Sequence, residues 1–266
     1  MTGAIDWYHC IELPDGTVTP GAFDLRPSTR VVPLPASLAG KRCLDVGTWD
    51  GFWAFEMERR GASEVVAIDI DDPDQWDWPP RERLASSRGG LAVLAARKRP
   101  GAGFGFAAAA LGSRAQRVVR SVYELDPEVD GTFDVVFLGS LLLHLRDPVA
   151  ALDRLRSVCS GVAVIADTVE AIPSLLRPRT PSVRLDGIER PWWWLPNRAA
   201  LHRMVRSAGF DIEEATGLYF VPRGPAHDKP TLRDLVRHAG TAEGREAVLV
   251  AVRGIPHAAV RARPLG

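Results

Sequence analysis

Only three cysteines (Cys10, Cys43 and Cys159) occur in the 266 residues, scattered and without CxxC spacing, which argues against a disulfide framework or a zinc site and for reduced thiols. No apolar run approaches the roughly 20 residues of a membrane span. The start, Met1-Thr2-Gly3-Ala4-Ile5-Asp6, lacks the basic and apolar stretches of a signal peptide, so the expected location is cytoplasmic. Lysine is scarce too, with Lys41, Lys98 and Lys229 the only three. There is no excess of either charge: 33 Lys+Arg balance 33 Asp+Glu, which weighs against binding dominated by nucleic-acid phosphates. What is present, 46% hydrophobic and 25% charged residues, suits an ordinary globular protein.

From Lys41 onward, β-branched runs alternate with helix-like stretches, the pattern of a parallel sheet with crossover helices. The runs predict strands at 42–46, 64–70, within 115–122, at 133–138 and at 161–166. Val65-Val66-Ala67-Ile68 and Val162-Ala163-Val164-Ile165 show no alternation and read as central strands covered on both faces. Helices are expected at 52–60, ended by Gly61, and at 148–158, opened by Asp147 and Pro148. A third, 198–207, is capped by Asn197 and stopped by Gly209. Two late strand-like segments, 211–221 and 246–253, flank an insertion. The expected organisation is an N-terminal lid over 1–40, a core over 41–254 with substrate-side insertions at 171–196 and 222–245, and a tail over 255–266.

The sharpest local signal is Leu44-Asp45-Val46-Gly47-Thr48-Trp49-Asp50-Gly51, which ends the first strand and opens a helix. Glycine at such a turn lets backbone approach a ligand, and the helix start offers unpaired N–H groups. The dinucleotide pattern G-x-G-x-x-G fails, because Trp49 stands where a second glycine admits a pyrophosphate. That lowers a dinucleotide or nucleotide-sugar reading and leaves a nucleoside ligand without pyrophosphate. A carboxylate at the end of the second strand accepts ribose hydroxyls in such folds. Asp69, 22 residues after Gly47, stands there, with Asp71 and Asp72 as competitors.

These residues resemble the class I S-adenosylmethionine (SAM)-dependent methyltransferases. The resemblance implies a Rossmann-like α/β fold with a seven-stranded sheet and helices on both faces. It also implies that the Asp45-x-Gly47 turn faces the methionine part of SAM, Asp69 the ribose, and the Ser121-Val122-Tyr123 loop the adenine, with Trp49, Gly51 and Gly139, at the end of the fourth strand, as further cofactor-binding residues. Trp7-Tyr8-His9, Asp15-Gly16, Thr19-Pro20-Gly21, Trp194-Leu195-Pro196-Asn197 and Gly209-Phe210 resemble, more narrowly, the tRNA wobble-uridine (5-oxyacetate pathway) methyltransferases.

Methyl transfer needs an aligned acceptor and, for a hydroxyl, a base. Gly139-Ser140 closes the fourth strand, and His144 follows within Leu141-Leu142-Leu143-His144; it is the expected general base, although a histidine in an apolar run also reads as a core residue. Asp167 and Glu170, just past the fifth strand, would hold a Mg²⁺ that lowers an alcohol's pKa, or would pair with the chain's arginines; Asp228, beside His227, would complete either site. Trp192-Trp193-Trp194 reads as an acceptor-pocket wall or as packing. Tyr8 and His9 read as a lid over the cofactor or as simple docking of the N-terminal region, and Asn197 and His227 as further substrate contacts. These features favour O-methylation of a small hydroxylated acceptor, a saccharide or glycosylated metabolite, with a tRNA wobble uridine as the alternative. Whether the donor is SAM or a carboxylated variant, and whether the chain forms a homodimer, stay open in the sequence.

Overall fold

The structure is a computed structural model, and it describes residues 5–81, 101–188, 192–227 and 242–266. In chain order these give β1 (Arg42–Val46), α1 (Phe52–Arg59), β2 (Glu64–Asp69), α2 (Ala102–Leu111), β3 (Gln116–Val119), the single turn α3 (Pro127–Asp130), β4 (Phe133–Gly139), α4 (Pro148–Ser157) and β5 (Cys159–Thr168). There follow α5 (Ala171–Leu176), β6 (Val183–Leu185), β7 (Trp194–Pro196), α6 (Arg198–Ser207), β8 (Phe210–Ala215), β9 (Tyr219–Val221), α7 (Ala242–Arg253) and β10 (Ile255–Pro264).

The main sheet runs β3-β2-β1-β4-β5-β10-β8, with short β9 also pairing to β10. The first five strands are parallel, and β10 is antiparallel to β5, β8 and β9. This is the Rossmann-like α/β order of the class I methyltransferase sheet. Central strands lack alternation because both faces are covered. Cys43 and Phe137 pack with Phe55 and Met57 of α1, while their neighbours Leu44 and Leu138 pack with Leu152 of α4 and Leu201 of α6. Since α1 leaves β1 toward one face and α4 leaves the adjacent β4 toward the other, a crevice opens at their carboxyl ends, the usual ligand position in such sheets.

Two expectations are corrected. Residues 246–253 form the end of helix α7, not a strand. Their valines mimic a strand, but the element is 12 residues long and closes on Gly254 at φ 100°, a helix-terminating conformation. The supposed tail, 255–266, instead supplies β10, a long strand inside the sheet, so the core extends past 254. The segment 211–221 also divides into β8 and β9 around Gly217.

Within the N-terminal region, residues 5–40 lie against the core. Thr19, fully buried, accepts from the Ile11 N–H and donates to the His9 carbonyl. Arg60 of the α1 end donates to the Leu34, Pro35 and Thr29 carbonyls. The 171–196 segment forms α5 and the antiparallel β6–β7 pair.

Candidate active site

The turn after β1 is held by Ile68, whose carbonyl accepts from the N–H groups of Gly47 and Thr48 at 2.9 and 3.1 Å. Gly47 has φ 77° and Gly51 φ 92°. A Cβ on Gly51 would come within 2.6 Å of the Phe55 ring, so no other residue fits there unstrained. Trp49 adopts φ 46°, the left-handed conformation that the missing second glycine would take easily. Its N–H donates to Asp69 Oδ2 at 2.8 Å, and its indole stacks on Tyr8 with ring centres 4.5 Å apart. Buried Asp45 accepts from the Ala54 N–H and so fixes the start of α1. Burial pushes its carboxyl up to about 7, against the pull of Thr48 and that N–H.

The three candidate ribose acids separate cleanly. Asp71 is taken by Arg117, with contacts of 2.5 and 3.1 Å. Asp72 caps the short turn that follows by accepting from the Asp74 N–H. Only Asp69 reaches the glycine turn.

Asp50, buried beneath this turn, accepts from the N–H groups of Tyr8 (2.6 Å) and His9 (3.0 Å). The N-terminal segment is thereby hydrogen-bonded to the same loop that carries Gly47. Burial, then the negative charges of Asp50, Asp167 and Asp69 in that order, raises the Tyr8 phenol well above its ordinary range. Burial drives His9 down to about 3, so its ring is neutral, and its Nδ1 is buried without a hydrogen-bond partner. A glycine turn, a carboxylate at the end of β2 and an orphaned buried nitrogen beside them fit an adenosyl sulfonium.

On the other side of the crevice, Ser140 follows β4 with φ 51°, a second non-glycine residue in the left-handed region. Its Oγ lies 2.9 Å from His257 Nε2, and Thr168 Oγ1 lies 3.3 Å from the same atom. His257 Nδ1 sits 2.9 Å from the Ile255 carbonyl, which can only accept, so Nδ1 carries the proton and Nε2 is the acceptor. Burial lowers His257 to about 4. Trp53, Gly139, Ser140, Ala166, Tyr219 and His257 line a small cavity here. Neither Ser140 nor His257 is legible as a pair in the sequence, because 117 residues separate them.

His144, itself half-buried, ends the turn Leu142–His144 after this strand, and the turn's two leucines are buried. Trp193 and Trp194 dock on that turn: the Trp193 N–H donates to the Leu143 carbonyl, its indole to Asp77 O, and the Trp194 indole to Arg146 O. The structure thus brings the tryptophans beside His144. His227 packs edge-on against Phe23.

Other expected contacts have structural duties. Asn197 is fully buried and caps α6, accepting from the Ala200 and Ser182 N–H groups and donating to the Thr180 carbonyl, which removes it from the acceptor contacts. Ser121 closes a capping box with Glu124, and the Val122 side chain is buried in the core, so only backbone there could meet adenine. The metal site does not assemble. Asp167 accepts from the N–H groups of Leu141, Leu142 and Thr168, and Glu170 pairs with Arg184 at 2.7 Å. Asp228 lies outside the described residues, among which no cluster of three metal-binding side chains occurs. These donors do not fit a Mg²⁺.

A methyltransferase-domain family matches residues 26–215. The chain belongs to that family. It is a class I SAM-dependent methyltransferase resembling the tRNA U34 group. The tRNA U34 carboxymethyltransferase of Stutzerimonas stutzeri is 28% identical over 227 residues, covering 81% of this chain and 62% of its own. That of Dichelobacter nodosus is 27% identical over 188 residues, covering 69% and 50%. The methyltransferase therefore spans between half and about three-fifths of the length of these relatives. Among solved structures, the 1,6-didemethyltoxoflavin-N1-methyltransferase of Burkholderia thailandensis, with S-adenosylhomocysteine bound, is 16% identical over 86% of this chain and 72% of that one, with a TM-score of 0.47.

Proposed function

We propose that this methyltransferase alkylates a hydroxyl oxygen on a tRNA wobble uridine. The observation that carries the reading is the match to tRNA U34 carboxymethyltransferases across 81% of the chain. When bound, SAM supplies an electrophilic methyl group on a sulfonium. Asp69, braced by Trp49, would accept the ribose hydroxyls, and the carboxylates around Tyr8 favour the sulfonium's positive charge. Tyr8 on Trp49 shuts water from the donor. His144, beside the Trp193 and Trp194 wall, would take the acceptor's proton as the new C–O bond forms. No helix among the described residues is long and apolar enough to cross a membrane, and a cytoplasmic location is part of the proposal.

A second reading, a small hydroxylated acceptor such as a saccharide, is favoured by the equal count of 33 basic and 33 acidic residues. One assay separates the two. Label from SAM is followed into unmodified tRNA and into a small-molecule extract between 50 and 200 mM salt, with a carboxylated donor run in parallel to define the group transferred. Label in tRNA that falls steeply with salt supports the first reading; salt-insensitive label in the small pool overturns it.

A further inference from the structure

Arg223 follows β9, just outside the residues that line the crevice. Its backbone bridges Phe23, with Asp24 donating to the Pro222 carbonyl and Gly224 to the Ala22 carbonyl. Its Nε and Nη1 are shut from solvent and have no hydrogen-bond acceptor. Among the described residues, Arg117, Arg120 and Arg156 each leave only the Nε buried and without a hydrogen bond, and Arg117 and Arg120 are held by Asp71 and Asp130, whereas Arg223 leaves two guanidinium nitrogens so. No carboxylate among the described residues forms an ion pair with Arg223, and burial alone pulls its pKa down. Two guanidinium N–H groups shut from water without an acceptor are costly, and an anionic ligand would complete them.

Its place indicates which ligand. Along β9 and its extension, alternate residues share a face, and Tyr219 and Val221 line the cavity with Ser140 and His257, which puts Arg223 next on that face. The side chains of a bridged pair lie on one side, so Arg223 lies alongside Phe23, whose ring touches both Tyr8 (4.8 Å) and His227 (5.3 Å). Tyr8 in turn covers Trp49. Two rings thus separate Arg223 from the donor's turn.

We propose that Arg223 is a receptor for an oxyanion of the acceptor, a phosphate or carboxylate oxygen that reaches its guanidinium from the face of β9 that Tyr219 and Val221 share. The inference rests on the transferase reading above, and deepens it by naming a charge that the acceptor carries.

The test uses the full chain with inorganic phosphate and, in a separate arm, acetate as probes. Thermal midpoints are measured for wild type, R223Q and R223K against chloride at matched ionic strength, and S-adenosylhomocysteine affinity is measured by calorimetry. Wild type is expected to gain roughly 2–4 °C at ten times the dissociation constant of the better probe. R223K keeps part of that gain and R223Q loses it, while S-adenosylhomocysteine affinity stays within about twofold. Response to phosphate or to acetate assigns the oxyanion. An equal gain in R223Q, or no gain in wild type with either probe, overturns the inference. A tenfold loss of S-adenosylhomocysteine affinity in R223Q also overturns it, by moving the anion to the donor. Failure of wild type to bind S-adenosylhomocysteine would strike the transferase reading alone, since the phosphate comparison needs no donor.

Discussion

The backbone N–H of Trp49 and the carboxylate of Asp69 meet at 2.8 Å, so the turn after β1 and the end of β2 act as one unit. An Asp69→Ala change removes both the brace on a left-handed tryptophan and the acceptor for ribose hydroxyls. S-adenosylhomocysteine affinity should fall by roughly 10- to 100-fold, since a hydrogen bond to a charged group contributes about 1.5–3 kcal/mol. Calorimetry reads this directly, and unchanged affinity would remove Asp69 from the donor site.

Asp50 joins the N-terminal segment to the loop, and Gly103 leaves it room: a Cβ there would lie 2.2 Å from Asp50 Oδ1. Asp50→Ala strands two buried N–H groups. A loss of about 2–4 kcal/mol in urea unfolding is expected, with faster proteolysis near Tyr8. Gly103→Ala should reproduce the effect by crowding.

His144→Ala should lower turnover by roughly 10²- to 10⁴-fold while S-adenosylhomocysteine affinity holds, the expected loss of a positioned base. Single-turnover transfer measures the first quantity and calorimetry the second. Equal turnover would return His144 to a packing role.

Asn197→Ala should cost about 2–4 kcal/mol, through the lost cap and stranded partners in the 177–182 segment, and should leave the acceptor's KM unchanged. A raised KM with an unaltered melting point would restore Asn197 to the acceptor site.

Stability against pH should be nearly flat from about 4.5 to 6.5 through the cancellation of four buried groups. Asp45 and Asp167, at about 7 when folded, hold two protons that the unfolded carboxylates have released above about 4, which makes stability fall as pH rises. His9 and His257, at about 3 and about 4 when folded, lack protons that unfolded histidines hold below about 6.5, so their contribution rises with pH over the same window. His257→Asn removes one rising term. Its stability should then decline by about 1.4 kcal/mol per pH unit between 5 and 6.5, which urea titrations at several pH values would register. A rise would contradict the assignment.

The parallel half of the fold was legible because buried strands such as Val162–Ile165 carry unbroken apolar runs, and because Gly47, Asp147 and Asn197 mark turns and caps by local chemistry. The late elements misled: Ala247-Val248-Leu249-Val250 has strand composition yet lies in α7, and Pro256 and Ala258-Ala259 disguise β10. In the candidate site, spacing offered Asp69 with Asp71 as a competitor, and the pairing that occupies Asp71 comes from Arg117, 46 residues away. Ser140 with His257, and Asp50 with Tyr8, depend on pairings across the fold that no local pattern encodes. Asp167 illustrates the reverse error: a carboxylate past a strand resembles a cation ligand until the backbone N–H groups it serves are visible.

The position of β10 between β5 and β8 bears on how the chain comes off the ribosome. Until residues 255–264 emerge, one margin of β5 is an open ladder of donors and acceptors flanked by Val162, Val164 and Ile165. Such a nascent intermediate is prone to pair with its neighbours on a polysome, so chaperone dependence in the cell should concentrate on this stage of translation.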